Sequence, residues 1–455
     1  MAKKSCTRII DNSRELVQYL EEGCKPIEAW KIGTEHEKFG YSKLDLKPLR
    51  YSGSCSIESV LKGLLETFGW MPVIEDNNLI GLSKDGANIS LEPGGQLELS
   101  GALLDNVHQT CLEVANHLAE VKTVADRIGA GFIGLGAAPE WKQDEMPVMP
   151  KGRYKLMAPY MEKVGSHGTE MMFRTCTVQV NLDYCSEEDM VQKMRVGLAL
   201  QPIATALFSA SPFFESKKTG YNSYRSRIWQ DTDRARTGML PFVFEESFGF
   251  QAWVEYALDV PMYFVYRNGK YLNALGQSFR DFLKGRLPAL PNEKPLISDW
   301  EDHLTTIFPE VRLKRFIEMR GADAGPWAKI CALPAFWVGI IYDKNSLDDA
   351  WELCKNWTQS ERQKLYQDVA KYGLRASIGK RQVKDIALDL LNLSNDGLLK
   401  RKKSNAHGTK QDESEFLRPL YEILEQGNSL ADDILHKYLT SWSRDLKNIY
   451  SEYCY

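Results

Sequence analysis

Four short stretches of this sequence concentrate charge in patterns that chemistry can use. In Ile32-Gly33-Thr34-Glu35-His36-Glu37-Lys38-Phe39 two carboxylates stand two residues apart, so in an extended chain Glu35 and Glu37 share one face. Neighbouring carboxylates repel each other unless solvent, basic groups or metal ions neutralise them. In Ser90-Leu91-Glu92-Pro93-Gly94-Gly95-Gln96-Leu97-Glu98-Leu99-Ser100 a carboxylate stands on each side of a Pro-Gly-Gly bend. Gln96, Glu98 and Ser100 fall on one face there, opposite Leu97 and Leu99, and the glycines allow a ligand to approach the backbone closely. A third stretch, Arg174 to Tyr184, alternates so that Thr177, Gln179, Asn181 and Asp183 form a polar face. The fourth, Glu318-Met319-Arg320-Gly321, puts an acid and a base on one face, and Arg153 and Arg225 stand in further basic segments. The planar fork of arginine suits carboxylates and phosphates.

Each stretch has a plainer reading taken alone: a solvated edge strand, a half-exposed antiparallel strand, or a salt bridge of little energetic weight. Together they supply carboxylates for several Mg²⁺ ions and arginines for anionic groups, with no serine, cysteine or histidine nucleophile motif. Oxygen-bound Mg²⁺ with few protein ligands is the usual partner of nucleotide phosphates. The sequence has no GxxxxGK[ST] loop and no convincing GxGxxG turn, so any phosphate chemistry is neither that of a P-loop nor that of a dinucleotide fold.

These residues need strands to align them and helices to cover the strands. The pattern predicts strands over 29–41, 78–83, 88–92, 96–100 and 174–184, with a turn at Lys84-Asp85-Gly86. Helices are predicted over 13–22 and 56–68. A longer one carries the apolar stripe Val107, Cys111, Val114, Leu118, Val121, Ala125 and Ile128. Another is capped by Ser186, runs to about residue 211 and is kinked at Pro202. A Gly/Arg-rich loop at 220–238, a hairpin strand at 262–271 and a short strand ending near Arg320 follow, and beyond about Cys331 the pattern is mainly helical. Strands joined through hairpins, with helices between them, indicate an α+β fold with a mainly antiparallel sheet. Residues 1–345 read as the core and 346–455 as a helical part packed on it, in one continuous domain.

At 455 residues, 43% hydrophobic and 26% charged, the chain has the composition of a soluble globular protein. A net charge of -4 excludes a general nucleic-acid binder, and Lys400-Arg401-Lys402-Lys403 reads as a solvated helix end. No apolar run approaches the ~20 residues that span a bilayer. The opening Met-Ala-Lys-Lys-Ser-Cys leads into charged, helix-like sequence, which implies no leader and a cytoplasmic protein. The nine cysteines show no CxxC or zinc spacing and are expected mostly as free thiols.

The same stretches carry a resemblance. Ile32–Gly40, Ser90–Gln96, Met149–Tyr154, Arg174–Leu182, Thr237–Phe244, Leu304–Arg315 and Glu318–Asp323 are similar to the motifs of plant-type glutamate–cysteine ligase, a family also found in proteobacteria. The likeness runs from about residue 8 to the end and weakens after about 345. It implies a curved antiparallel sheet lined with helices, related to the glutamine synthetase and carboxylate–amine ligase group. The implied reaction activates the glutamate γ-carboxylate with ATP and Mg²⁺ as γ-glutamyl phosphate, which the cysteine amine attacks to give γ-glutamylcysteine, the first step of glutathione synthesis. By the same resemblance Glu35, Glu37, Glu92, Glu98 and Glu318 would form the Mg²⁺ cage, with Glu35, Glu37 and Arg320 catalytic. Arg153, Arg225, Gln179 and Asn181 would bind or orient substrate. Cys111 and Cys331 occupy the positions of a regulatory disulfide, whereas those of a second family disulfide hold Ala274 and Ala289. The implied state is a monomer or a weak, redox-dependent homodimer, with no nucleic-acid or membrane partner. A ligase for a different amine, and a binding protein that kept the scaffold, are the alternatives.

Overall fold

The strand built around the Glu35/Glu37 motif runs through the middle of the molecule. A computed structural model describes residues 8–403 and 412–455; the first residues, on which the expectation of no leader rests, lie outside the described residues. Nine strands form the main sheet: β1 Ile32–Ser42, β2 Met71–Glu75, β3 Asn78–Lys84, β4 Ala87–Leu91, β5 Leu97–Ser100, β6 Ala130–Ile133, β7 Thr177–Leu182, β8 Val311–Leu313 and β9 Ile317–Asp323. Their order is β8-β9-β7-β1-β5-β4-β3-β2, with β6 pairing the second half of β1, and every pairing is antiparallel. The fold is thus α+β with a mainly antiparallel sheet and helices against it.

Strand alternation gives the sheet two distinct faces. On β1, His36 and Lys38 are fully buried on the face that meets the helix Val107–Ile128, while Glu35 and Glu37 are only half-buried on the other. On β7, Val178, Val180 and Leu182 are buried in the core, each worth ~1.5–3 kcal/mol of transfer free energy. The covering helix has the predicted stripe, starts at an Asn106 side-chain cap on the Gln109 amide (3.0 Å) and ends at Gly129 in the left-handed region (φ 74°).

Some boundaries differ from the sequence pattern. Residues 27–29 form a 3₁₀ turn before β1, and β2, which Pro72 and its exposed flank concealed, pairs with β3 as an edge strand. Gly168–Arg174 is a helix rather than the start of β7, because Arg174 is drawn inward to the Trp141 carbonyl and to Glu170 and Glu215. The helix Glu187–Leu207 stops short of 211 and continues through Pro202. The 220–238 segment contains a short helix, Tyr224–Trp229, started by the Ser223 side chain.

Beyond β9 the helix Trp327–Ile341 packs against both Val107–Ile128 and Val383–Arg401. Glycines allow the second contact: a methyl on Gly397 would lie 1.9 Å from the Gly339 carbonyl oxygen, and one on Gly339 would lie 2.1 Å from the Ser394 carbonyl oxygen. Gly397→Ala is therefore expected to lower stability by about 2 kcal/mol or more through overpacking. The urea midpoint should fall at unchanged slope; an unchanged midpoint would show that the helices separate freely.

Candidate active site

The sheet register lines up the predicted residues in cross-strand rows. Ser90 on β4, Glu98 on β5 and Glu37 on β1 are successive partners, as are Asn88, Ser100, Glu35 and Gln179 from β4 to β7. Arg312, Glu318 and Asn181 form a third row across β8, β9 and β7. Glu92 follows β4 in the bend, which closes when the Gly95 amide donates to the Glu92 carbonyl (2.9 Å) with Gly95 at φ 82°. Gln96 holds that bend: it accepts from the Gly94 amide (2.9 Å) and donates to the Thr175 carbonyl (3.0 Å).

Partners separate the carboxylates into two populations. Glu318 is fully buried and bonded to Arg312 (2.7 Å), Lys314 (2.9 Å) and Arg320. Burial alone would raise its carboxyl, but those three cations outweigh it and hold Glu318 well below the usual range. Among the described residues Glu35 has only the Asn181 amide as hydrogen-bond donor (2.8 Å); burial, then Glu318 and Glu98, push its carboxyl up to about 7. Glu37 accepts from the Thr177 amide (2.9 Å), yet burial and the charges of Glu92 and Glu98 push it well above its ordinary value. Glu98, held by the Ser90 and Ser100 hydroxyls, is raised by burial and then by Glu92.

Among the described residues no three His, Cys, Asp or Glu side chains are gathered to hold a metal ion. Glu318, one of the five carboxylates expected around Mg²⁺, is bonded here to three cations. The chemistry of Glu35, Glu37, Glu92 and Glu98 fits a hard divalent cation: the donors are all oxygens, and burial, then neighbouring carboxylates, shift three of these carboxyls upward.

A cavity opens beside these groups, with Glu37 and Glu92 on one wall and Arg153, Arg225 and Arg320 on the others. Arg153 projects from the helix Gly152–Val164 and lies over Phe264 and Tyr154, its Nε unpartnered. Arg225, on the helix Tyr224–Trp229, donates to the Arg320 carbonyl (3.0 Å), and its Nε is likewise unpartnered. Arg320 donates to Gln179 Oε1 (2.6 Å). Gln179 and Asn181 thus hold Arg320 and Glu35 rather than standing free. Trp229 and Phe308 form an aromatic wall beside Arg320.

Sequence reasoning passed over several residues that complete this arrangement. Arg312 and Lys314 sit on alternate positions of Val311-Arg312-Leu313-Lys314, a period-2 signal that marks one face, and the register places Arg312 opposite Glu318. Lys151 and Tyr154 both donate to the Leu91 carbonyl (2.8 and 2.5 Å), fastening the arginine helix to the end of β4. Cys111 and Cys331 lie apart from the cavity, on the packed helices Val107–Ile128 and Trp327–Ile341, as buried free thiols. Burial and then the adjacent Cys331 thiol push the Cys111 thiol upward.

The Glu35 shift carries a stability consequence. Between its ordinary 4.5 and about 7 the folded chain keeps a proton that the unfolded chain releases, so this carboxyl makes stability fall as pH rises through that interval. Glu35→Gln is expected to raise the melting temperature of the metal-free protein at about pH 8, with the gap closing toward about pH 5. A gap that does not change with pH would refute the unneutralised carboxylate.

The comparisons with known proteins converge on one family. The sequence profile of glutamate–cysteine ligase family 2 matches residues 31–452. Glutamate–cysteine ligase B, chloroplastic, of Oryza sativa subsp. japonica is 54% identical over 441 residues, covering 97% of this chain and 87% of that protein. Glutamate–cysteine ligase, chloroplastic, of Medicago truncatula is 52% identical over 442 residues, covering 97% of this chain and 85% of that protein. A solved structure of glutamate–cysteine ligase from Francisella tularensis in complex with AMP has the same fold, with a TM-score of 0.57 at 12% identity over 94% of this chain and 88% of that one. The plant relatives are chloroplast proteins, which overturns the cytoplasmic expectation. That expectation rested on composition and the opening residues, whereas cellular addresses are read by receptors and leave no trace in a folded core. With the profile matched across nearly the whole chain and relatives more than half identical along it, this chain belongs to glutamate–cysteine ligase family 2.

Proposed function

We propose that this protein joins the γ-carboxylate of L-glutamate to the amine of L-cysteine at the expense of ATP, forming γ-glutamylcysteine, ADP and phosphate for glutathione synthesis. The observation that carries the reading is one cavity in which three arginines face a carboxylate-bearing sheet. Two anionic partners, a carboxylate and a triphosphate, must meet there, and their repulsion is the main barrier to bringing them together. Arg153 and Arg225, each with an unpartnered buried Nε, have donors to spare for such anions. Arg320 is aimed by Gln179 and Glu318, and its charge would stabilise the phosphoryl group as it passes from ATP to the γ-carboxylate.

Glu35, Glu37, Glu92 and Glu98 are the residues that would hold Mg²⁺, which when bound supplies charge neutralisation to the transferring phosphate. Asn181 keeps Glu35 oriented toward that task, and Glu318 serves instead as the anchor of the basic cluster. The cysteine amine then attacks the acyl phosphate and phosphate leaves. The core of this machinery falls within 1–345, with the helices of 346–455 acting as its buttress.

Phosphate release from ATP with Mg²⁺ and glutamate should depend on cysteine, and γ-glutamylcysteine should appear by mass. Turnover with a different amine would replace the acceptor, and none with any amine would overturn the reading. Arg320→Ala is expected to lower kcat by about 10²-fold. An unchanged kcat would remove Arg320 from the phosphoryl path.

The two buried neighbouring thiols support a second reading, that Cys111 and Cys331 form a disulfide by giving two electrons and two protons to a thiol–disulfide oxidant. The free-thiol count should rise by about two on reduction and not do so in Cys111→Ser; equal counts in both proteins would exclude the bridge.

A further inference from the structure

Asp323 is a buried carboxylate that stands outside the lining of the ligase cavity. It ends Glu318-Met319-Arg320-Gly321-Ala322-Asp323, where the register of β9 on β7 shifts between Met319 and Ala322, an irregularity of the kind that re-aims side chains. Only 1% of Asp323 is exposed, and a methyl on Gly136 would lie 2.2 Å from its Cγ, so the chain closes over the carboxyl. Burying an anion is costly unless donors surround it. The donors here are neutral: the Ala210 amide (2.8 Å) and the Ser211 hydroxyl (2.6 Å) on Oδ2, and the Ser223 hydroxyl (2.7 Å) on Oδ1.

Both hydroxyls also accept. Ser211 Oγ accepts from the Arg225 amide (3.2 Å), and Ser223 Oγ accepts from the Ser226 amide (3.1 Å) and so starts the helix Tyr224–Trp229. An amide N–H only donates and a hydroxyl carries one proton, so each serine sends its proton to Asp323. The carboxylate therefore orients both serines, and the serines hold the first turn of the helix, Arg225 included. Beyond that turn the Arg225 side chain donates to the Arg320 carbonyl (3.0 Å), keeps its Nε unpartnered and lines the ligase cavity. Burial raises the Asp323 carboxyl above its ordinary value, and the charge of Arg225 is the strongest influence against that rise.

We propose that Asp323 is a positioning residue for Arg225: through Ser211 and Ser223 it sets where the guanidinium meets an anionic substrate. A helix of six residues has few internal bonds to fix its own direction, and a displacement of about 1 Å at a binding arginine is costly. This rests on the ligase reading only in taking Arg225 to bind a substrate anion. A purely structural role for Asp323 gives a different result: its loss would touch every ligand alike and would add to the loss of Arg225.

Calorimetric titration of the full chain with glutamate and with ATP, each in the presence of Mg²⁺, tests this without turnover. Arg225→Ala should weaken one of the two ligands at least about tenfold. Asp323→Asn turns an amide NH₂ toward one of the three donors, and should weaken that same ligand at least about fivefold while moving the other less than about twofold. Added to Arg225→Ala, it should cost less than about twofold more, because residues that act through one another are not additive. Ser211→Ala is the gentler change, removing only the link to the Arg225 amide; it should weaken the same ligand about threefold and keeps the test in hand if Asp323→Asn does not fold. Equal weakening of both ligands, weakening of neither, or a fully additive loss in the double variant would overturn the assignment. A wild-type chain that binds neither ligand would overturn it together with the ligase reading. The expected titrations with no turnover of any amine would sink the ligase reading alone, and turnover with Asp323→Asn titrating like wild type would sink the Asp323 assignment alone.

Discussion

Glu318 is the point on which the charge arrangement turns. A fully buried carboxylate would be intolerable alone, and here it draws Arg312, Lys314 and Arg320 to one spot at the end of the sheet. Three cations around one anion leave an excess of positive charge, and Arg320 presents part of that excess to the cavity. On the other side Glu37 and Glu92 face the same space, where burial and the charge of Glu92 hold the Glu37 carboxyl well above its ordinary value. The cavity is therefore polarised by residues that the strands, the Pro-Gly-Gly bend and two helices bring together. Removing Glu318 would leave three buried cations, so its position is constrained whatever it does in the reaction.

The polarity depends on strand β1 separating two chemistries by a single backbone. Glu37 lines the cavity and Glu35 shares its face of the strand, while His36 and Lys38 point into the core beneath the helix Val107–Ile128. Lys38 donates only to the Leu97 carbonyl (3.1 Å), and burial brings it down to about 7. A basic group pushed toward neutrality behind two acids pushed toward neutrality means that neither face is solvated enough to hold its charges freely. Such tension is characteristic of sites that gain their counter-charge from a ligand. A one-residue slip of β1 would exchange the faces, and the pairing on both flanks, Glu37 with Glu98 and Glu35 with Gln179, prevents it.

How much of this could be read from the sequence follows from the same geometry. Period-2 alternation showed which side chains share a face within one strand, and so Glu35 with Glu37, or Gln179 with Asn181, were legible as pairs. Which strand lies beside which is a long-range fact where β9 joins β7 across more than a hundred residues, whereas Glu318 meets Arg312 and Lys314 locally, through the β8–β9 hairpin. Glu318 was legible as a carboxylate sharing a face with Arg320, but its bonds to Arg312 and Lys314 were not. Local signals also failed where tertiary contacts override them, as at Arg174, whose buried ion pairs keep 168–174 helical ahead of the strand.

The same limits explain why the back of the sheet was invisible in the sequence. His117 and His36 are 81 positions apart by subtraction of their numbers, and nothing in the spacing of either suggests that their rings meet at 5.4 Å. Read locally, His117 interrupts an apolar stripe, a position that ordinarily means a core histidine bonded to some backbone carbonyl. His303 illustrates that ordinary case, with its Nε2 at 2.8 Å from the Ala257 carbonyl oxygen. Neither ring nitrogen of His117 has such a partner among the described residues. Strand β5 repeats the separation seen on β1: Glu98 lies on the carboxylate face, and Leu99, one residue out of phase, is buried as the strand partner of His36.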